Sequence, residues 1–415
     1  MKRRVVVTGL GAISPVGNDV ATTWRALLDG RSGAAPITRF DAEKFSVRFA
    51  CEVKNFDPLL YMERKEAKRA DLYTQYAVGA AIQAMTDAGF GDGTGYDPNE
   101  TGVIVGSGIG GLGTFEEQHK NYLEQGPRRI SAFFVPMYIA DIAAGVVSMR
   151  FNARGPNFST VSACATSAHA IGEAFRTIQY GDAEVMIAGG SEAAVTPMAI
   201  GGFASMTALS TRNESPETAS RPFDLTRDGF VLGDGSGIVV LESLEHAQAR
   251  GARIYAELVG YGATGDAHHL TGQLPDHEGL QRAMRRAIAD GGLTPADVDY
   301  VNAHGTSTPL NDSNETRAIR AVFGDAANKV SVSSTKSATG HMLGAAGGLE
   351  FIACIMAIQN SIVPPTINYS TPDPECDLDV TPNVPRERDV RVAISNSSGF
   401  GGHNAALVVQ RAEQV

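Results

Sequence analysis

The stretch that decides the fold is FSTVSACATSAHAIGEAF, residues 158–175. It opens with aromatic and β-branched residues typical of a strand, behind the chain-breaking pair Gly155-Pro156. After Cys164 the apolar residues recur at helical spacing, and Gly181 marks the end of the helix. VMIAGG (185–190) then has the pattern of a buried strand. The stretch predicts a strand, a turn bearing Cys164, a helix and a second strand.

Cys164 lies in this predicted turn among Ser, Ala and Thr residues that leave space around the thiol. The start of a helix supplies partial positive charge and free N–H donors, so we expect a lowered thiol pKa and a place to hold an oxyanion. The alternative is a structural cysteine, because free cysteines are among the most buried residues. The stretch alone leaves both interpretations open.

Strand-like and helical runs alternate along the 415 residues, which predicts an α/β architecture. The chain also echoes itself at about half its length: VVVTGLGAIS resembles AELVGYGATG (256–265), and VSACATSAHAIGEAF resembles STKSATGHMLGAAGGLEF (334–351). This long period indicates a duplication rather than a solenoid. We predict two similar halves, residues 1–255 and 256–415.

Composition excludes several classes of protein. The net charge of −11 argues against general nucleic-acid affinity, and the four cysteines lack disulfide or metal-ligand spacing. No apolar run approaches the ~18 residues of a membrane span. We therefore expect a soluble cytoplasmic protein that binds neither membrane nor nucleic acid and has no metal.

Two basic clusters interrupt this acidic chain, ERKEAKR (63–69) and PRR (127–129). The four cations of the first cluster would share one face of a helix, at positions i, i+1, i+4 and i+5. Such a cluster is either a solvated helix face or a docking site for an acidic partner.

A glycine fingerprint, G-x-G-x-x-G, follows a predicted strand at Gly106, Gly108 and Gly111. A nucleotide site would also need a helix, a second strand and an acidic residue about 20 positions on, and no such second strand follows. We interpret these glycines as positions of close packing, with Ile109 pointing into a cavity.

Three further motifs place reactive side chains near strand ends or helix starts. NAHGTSTPLND (302–312) places His304 at a strand end, with Asn311 or Asp312 as the cap of the next helix. STKSATGHMLGAAGG (334–348) places His341 at a helix start, and ISNSSGFGGHNAALVV (394–409) carries Phe400 in a glycine-rich turn. Each alone has a plain structural explanation. Together with Cys164 they favour one site, because ligand sites gather at strand ends in open α/β sheets.

Taken together, SACATSAHAIG, RPFDLTRDGFVLGDGSG (221–237), NAHGTSTPLND, SSTKSATGHMLGAAGGLE and NSSGFGGHN resemble the β-ketoacyl-acyl-carrier-protein synthases, essentially from end to end. GSGIGGLG, ALSTRN (208–213) and RDGFVLG most resemble the type II synthases of dissociated fatty-acid synthesis. The resemblance implies a thiolase-like fold, five α-β-α-β-α layers made of two duplicated halves, usually as a homodimer. It implies decarboxylative condensation of an acyl-cysteine with a malonyl thioester, which lengthens the acyl chain by two carbons. No cofactor is implied beyond the phosphopantetheine arm of the acyl carrier protein.

The resemblance also implies roles for individual residues. Cys164 becomes the nucleophile, His304 and His341 the paired histidines, and Lys336 a support residue paired with Glu350. The remaining assignments are the backbone amides of Cys164 and Phe400 for the oxyanion hole, Thr306 and Thr308 for the phosphopantetheine arm, Ile109 and Phe203 for the acyl pocket with Phe400 as its gate, and Arg64, Lys65, Lys68, Arg69, Arg128 and Arg129 for carrier docking.

One position departs from the family pattern. Ser398 stands where an aromatic residue is more common, and a smaller side chain is expected to loosen the loop that carries Phe400. We expect this difference to affect the preferred acyl length rather than the chemistry.

The same fold also carries related functions. A polyketide-type ketosynthase would have a similar sequence, whereas a non-catalytic chain-length subunit would lack the nucleophile that Cys164 provides. A thiolase would use a second cysteine as a base, and neither Cys354 nor Cys376 lies in a matching glycine-rich motif.

Overall fold

The computed structural model describes residues 2–91 and 93–413. Its strands, in chain order, are β1 Val5–Ile13, β2 Ala35–Pro36, β3 Phe49–Ala50, β4 Thr101–Gly106, β5 Asn157–Phe158, β6 Val185–Glu192, β7 Gly235–Ser243, β8 Ala256–Gly265, β9 Tyr300–Asn302, β10 Ser331–Ser333, β11 Ile362–Val363, β12 Arg386–Glu387, β13 Val392–Gly399 and β14 His403–Gln410. Its α-helices are α1 Val20–Leu28, α2 Arg64–Ala67, α3 Leu72–Asp87, α4 Leu112–Gln125, α5 Phe134–Tyr138, α6 Ile142–Phe151, α7 Thr166–Tyr180, α8 Pro197–Ser205, α9 Leu244–Ala249, α10 Glu278–Asp290, α11 Pro309–Phe323, α12 Lys336–Thr339 and α13 Ala346–Asn360.

The central sheet contains the same five-strand pattern twice. Its order is β10-β9-β13-β14-β8-β1-β7-β6-β4-β5, so the halves join where β8 pairs with β1. Outward from the junction, β1-β7-β6 are antiparallel and β6-β4-β5 are parallel. The directions repeat in β8-β14-β13 and then β13-β9-β10. The duplicated α/β fold expected from the sequence echoes is therefore present.

Three hydrophobic clusters separate the helices into layers. The largest lies between the two halves of the sheet and contains the apolar residues of α7 and α13. A second cluster packs α3 and α6 against the far face of the first half, and a third packs α10 and α11 against the far face of the second half. Because strand side chains alternate between faces, each half-sheet contributes to two clusters. The result is the predicted order of five layers.

The prediction of halves at residues 1–255 and 256–415 stays a prediction, and β8, the first strand of the second set, begins at Ala256. The expectation about apolar runs was wrong at one place. Leu343–Asn360 is long and apolar enough for a membrane span by length and composition, although 83% of it is buried inside the protein. This segment is α13 with the turn before it, and its burial in the central layer accounts for its apolar composition.

Two local predictions also need correction. The cap of α11 is Thr308, not Asn311 or Asp312, and the helix begins at Pro309. Proline suits that first position because its fixed φ matches the helix and its missing N–H is not needed there. In the first basic cluster, α2 ends at Ala67 and Lys68 is its C-cap, so the four cations do not share one continuous helix.

Candidate active site

Cys164 lies on a tight elbow before α7. The preceding strand is shorter than predicted, since β5 ends at Phe158, and a 3₁₀ turn covers Ala163–Ala165. Ala163 has a φ of 51°, a left-handed conformation that is uncommon outside glycine. The Thr166 side chain holds the elbow by accepting a hydrogen bond from the Ser162 amide at 2.9 Å. The thiol therefore sits at the start of a 15-residue helix, as the sequence predicts.

The expected lowering of the thiol pKa was wrong. Burial raises the pKa of Cys164 to about 12, although the nearby Lys336 charge and a hydrogen bond from the Phe400 amide oppose this shift. Desolvation disfavours the thiolate more than the helix terminus and these neighbours favour it. Cys164 is therefore a neutral thiol at neutral pH, with one backbone donor already at its sulfur.

One cavity of about 280 Å³ brings the predicted site residues together. It opens where the loops that follow β4, β9 and β13 meet the elbow of Cys164. Of the assigned residues, those that line it are Ile109, Cys164, Phe203, His304, Thr306, Thr308, His341 and Phe400. Lys336 and Glu350 lie behind the cavity wall, 1% and 3% exposed.

The two histidines form a pair at right angles. Their ring centroids are 5.3 Å apart and their planes differ by 86°. Burial, reinforced by the Lys336 charge, holds the pKa of both His304 and His341 well below the usual value. Lys336 Nζ lies 3.5 Å from His304 Nδ1 and is ion-paired with Glu350. An ammonium group can only donate, so His304 Nδ1 accepts and its Nε2 carries the proton, free to donate into the cavity.

An aromatic row links Phe400 to this pair. Phe400 lies 6.5 Å from Phe203, Phe203 lies 5.4 Å from Phe230, and Phe230 lies 5.3 Å from His341, centroid to centroid. Phe230 lies in the motif RPFDLTRDGFVLGDGSG, and the sequence alone implied no role for it. The row gives the cavity an apolar lining, to which Thr306 and Thr308 add hydroxyl groups.

Two buried glutamates shape the loops of the site and were missed from the sequence. Glu192 accepts hydrogen bonds from the amides of Gly108, Ile109 and Gly344 at 2.8, 3.2 and 3.0 Å. Glu315 accepts from the amides of His304 and Gly305, both at 2.8 Å. Burial raises the pKa of each carboxyl to about 7, although these hydrogen bonds oppose the shift.

The glycine fingerprint serves close packing, as interpreted from the sequence. A Cβ at Gly106 would lie 2.3 Å from Thr166, and one at Gly108 would lie 2.8 Å from the Glu192 carboxylate. Ile109, which follows Gly108, lines the cavity. The loop is thus fixed by packing and by Glu192.

The gate loop joins β13 to β14 and covers residues 399–402. A Cβ at Gly399 would lie 2.6 Å from the Ser162 carbonyl, so only glycine allows this close approach to the elbow of Cys164. Ser398, expected to loosen this loop, is buried, and its Oγ makes two hydrogen bonds.

Both basic clusters lie on the surface, and all six assigned cations are exposed. Although about 60 residues apart in sequence, the clusters are adjacent, because the Arg69 guanidinium lies 4.2 Å above the ring of Phe133. Phe133 follows shortly after the PRR cluster, in which Arg129 donates a hydrogen bond to Gln125 at 2.9 Å. The two clusters form one basic surface.

Comparison with known proteins identifies the family. Residues 2–247 match the family model "Beta-ketoacyl synthase, N-terminal domain", and residues 255–370 match "Beta-ketoacyl synthase, C-terminal domain". The chain is 56% identical to a 3-oxoacyl-[acyl-carrier-protein] synthase 2 of Staphylococcus aureus, over 99% of both chains. It is 53% identical to the protein of that name from Synechocystis sp., over 99% of this chain and 98% of the relative.

Solved structures give the same result. A β-ketoacyl synthase from Burkholderia phymatum superposes with a TM-score of 0.92 at 34% identity, over all of both chains. A type II polyketide ketosynthase solved in complex with its acyl-carrier protein superposes with a TM-score of 0.91 at 36% identity, again over all of both chains. The resemblance drawn from five motifs is confirmed. The chain belongs to the β-ketoacyl synthase family, condensing enzymes with a thiolase-like fold.

Proposed function

We propose that Cys164, His304, His341 and the Phe400 amide carry out the condensation that this enzyme performs in fatty-acid synthesis. The enzyme joins an acyl group to malonyl-[acyl-carrier protein] and gives a 3-oxoacyl product two carbons longer. The observation that carries the assignment is the convergence of these four groups, from both halves of the chain, on one cavity. The reaction as written uses no metal or cofactor.

The first step is acyl transfer. Cys164 Sγ attacks the carbonyl of the acyl thioester, and the Cys164 and Phe400 amides stabilise the oxyanion. The carbon–sulfur bond to the phosphopantetheine arm then breaks. The departing thiolate takes up the proton that Cys164 loses, so the high thiol pKa needs no permanent base. Thr306 and Thr308 line the cavity, and we place the arm against their hydroxyl groups.

The second step is decarboxylation of the malonyl thioester. Loss of CO₂ leaves an enolate, and its oxygen receives hydrogen bonds from neutral His304 and His341. The enolate carbon attacks the acyl carbon on Cys164, the carbon–sulfur bond breaks, and the Cys164 thiolate takes up a proton from the solvent. Ile109 and Phe203 line the space that the acyl chain occupies during both steps.

Intact-protein mass spectrometry tests this function directly. The enzyme is mixed with a panel of acyl-carrier-protein thioesters, beside a Cys164→Ala variant. We expect a mass increase of one acyl chain in the wild type alone, discharged by malonyl-carrier protein to a 3-oxoacyl product. The same panel ranks the chain lengths. Absence of an adduct with every chain length would overturn the proposal.

We also propose that the basic surface docks the acidic carrier protein. Its six cations are exposed on a chain of net charge −11, so they form a local exception to the overall charge. The double reversal Lys65→Glu with Arg128→Glu should weaken carrier binding about tenfold or more, with a steep salt dependence. Reaction with small soluble thioesters should be unchanged, and Lys329→Glu, an exposed charge outside both clusters, is the control. Equal loss with both substrates would contradict docking.

A homodimer through the edge of β5 completes the proposal. β5 is the last strand of the sheet, and exposed apolar side chains surround it: Met149, Phe158 and Val161 are 73%, 45% and 60% exposed. A second copy related by a twofold axis would cover them and continue the sheet. Phe158→Glu should convert a dimer to a monomer in light scattering, whereas Tyr180→Glu should not. We place the enzyme in the cytoplasm, where its four buried thiols remain reduced.

A further inference from the structure

His277 lies beneath the gate loop and contacts the one position of the loop region that departs from the family pattern. Its Nε2 is 3.0 Å from Ser398 Oγ, and both side chains are buried. His277 comes from the segment between β8 and α10, more than 120 residues earlier in the chain, and no motif in the sequence pointed to it.

The direction of this hydrogen bond follows from the neighbouring Asn404. The Asn404 Nδ2 donates to Asp266 Oδ1 at 2.7 Å and to the Gly402 carbonyl at 3.3 Å, so its Oδ1 faces Ser398. That oxygen lies 2.9 Å from Ser398 Oγ and can only accept. Ser398 therefore donates its single hydroxyl proton to Asn404 Oδ1. In the bond between Ser398 and His277, Nε2 of His277 must be the donor and Ser398 Oγ the acceptor. Burial lowers the pKa of His277 to about 4, so the imidazole is neutral with its proton on Nε2.

The backbone of His277 is also unusual. It has a φ of 50° and follows Asp276 with a φ of 55°, so two consecutive residues other than glycine adopt the left-handed conformation. Such a conformation persists only where the surroundings fix it. Two features hold the backbone of His277 in this conformation: the residue is fully buried, with 0% exposure, and its side chain is hydrogen-bonded to Ser398.

The gate loop has two further links to the same segment. The Gly401 amide donates to the Leu270 carbonyl at 2.7 Å, and the Asp266 amide donates to the Gly402 carbonyl at 2.9 Å. Side chains also connect the segment to the strands that flank the loop, through Asn404 Nδ2 to Asp266 Oδ1 and through His277 Nε2 to Ser398 Oγ. The second of these bonds ends two residues before Phe400. The Phe400 amide is the donor at the Cys164 sulfur.

We propose that His277 is a positioning residue for the reaction. Its Nε2–H holds Ser398, and Ser398 in turn sets the position of Phe400 so that its amide faces the reacting group on Cys164. The His277 imidazole packs beside the small side chain of Ser398. A serine at this position therefore does not loosen the loop that carries Phe400. The inference rests on the proposed function, because it assigns His277 to the oxyanion hole of that reaction.

The test measures the rate at which Cys164 is acylated in a single turnover, at saturating acyl-carrier protein. His277→Gly removes the ring and relieves the left-handed backbone. We expect it to lower the maximal acylation rate about tenfold, a fraction of the 10²–10³-fold loss caused by removing an oxyanion donor outright. The half-saturating substrate concentration should stay within about twofold, because the contacts with the carrier arm are intact.

Two further variants separate positioning from general damage. His277→Gln keeps an N–H near the position of Nε2 and should recover most of the rate. Ser398→Ala removes the acceptor alone and should resemble His277→Gly, and combining the two should cost little more than either. His268→Gln, an exposed histidine of the same segment, is the matched control. Should His277→Gly not fold, Ser398→Ala still decides the question.

Each outcome has a distinct meaning. Wild-type rates in both His277→Gly and Ser398→Ala would overturn the inference and leave the proposed function intact. Additive losses, or a glutamine variant as slow as the glycine variant, would also overturn it. A wild-type enzyme that is never acylated at Cys164 would instead overturn the proposed function.

Discussion

The elbows before the two central helices have the same conformation and different side chains. In the first half, Ala163 has a φ of 51°, the 3₁₀ turn carries Cys164, and α7 begins two residues after it. In the second half, Leu343 has a φ of 46°, the turn carries Gly344, and α13 begins two residues after it. Duplication therefore preserved the left-handed residue and the helix start, while the residue between them diverged.

The neighbours of the elbows explain the difference. A Cβ at Gly344 would lie 2.4 Å from the Gly108 amide and 2.7 Å from the Glu192 carboxylate, so this position is filled by the other half of the molecule. Cys164 instead faces the cavity. The loops after the matching strands β4 and β9 diverged similarly: one presents Ile109, held by Glu192, and the other presents His304, held by Glu315. On the proposed mechanism, the first half supplies the nucleophile and the acyl wall, and the second half supplies the two imidazole donors.

The largest effect should come from a variant that impairs malonyl decarboxylation and spares acyl transfer. His341→Ala removes a donor of the second half, so malonyl decarboxylation should fall by about 10²–10⁴-fold. Acyl transfer should fall by less than about tenfold, because the backbone amides at Cys164 and Phe400 serve that step. CO₂ release from malonyl-carrier protein and the mass of the acyl-enzyme measure the two steps separately.

His304→Ala should reproduce this pattern, since both imidazoles face the same cavity. Equal losses in both steps for either variant would show that the histidines also serve acyl transfer. The division of labour between the halves would then fail.

A smaller effect is expected at the second elbow. Gly344→Ala forces a methyl group against the Gly108 amide, and overpacking of this kind costs about 1–3 kcal/mol. Urea unfolding should show this loss. In α8, no atom of the described residues beyond the helix's own backbone lies within 4 Å of a Cβ at Gly202, so Gly202→Ala should be neutral or slightly stabilising. Unchanged stability of Gly344→Ala would mean that the second elbow lacks its cysteine for a reason other than packing.

Much of this arrangement could be predicted from the sequence, because each reactive residue lies in a motif that is continuous in the chain. Cys164, His304, His341 and Phe400 all fall among small residues at predicted strand ends or helix starts, and the echo between the halves indicated the duplicated sheet. Burial was harder to judge: the helix start suggested a low pKa for Cys164, but desolvation outweighs it.

The residues that were missed act over long separations. Glu192 holds Gly108 and Ile109 from 84 and 83 residues away, and Ser398 contacts His277 from 121 residues away. No local periodicity encodes such pairs. The wrong cap of α11 has a different cause, because Thr308 lies directly before Pro309 and proline at the first helical position was the usable signal.

The smallest effect concerns the two loop-holding glutamates and compares the halves directly. Burial raises the pKa of both Glu192 and Glu315 to about 7, from 4.5. Between these values the folded state keeps a proton that the unfolded state has released, so each carboxyl makes stability fall as pH rises from about 4.5 to 7. Each contributes a slope of at most about 1.4 kcal/mol per pH unit in that window.

Glu192→Gln and Glu315→Gln each remove one titrating carboxyl group. Any hydrogen bond lost in a variant changes its stability at every pH and leaves this slope unaffected. Each should make the pH dependence of the unfolding free energy between pH 5 and 7 less negative, by a similar amount for the two variants. Urea unfolding at several pH values measures this slope, with exposed Glu117→Gln as the control. A change in only one variant would mean that one half holds its loop with a carboxylate and the other with a neutral acid. The two halves would then differ in the charge state of the glutamate that holds the loop, in addition to differing in their site residues.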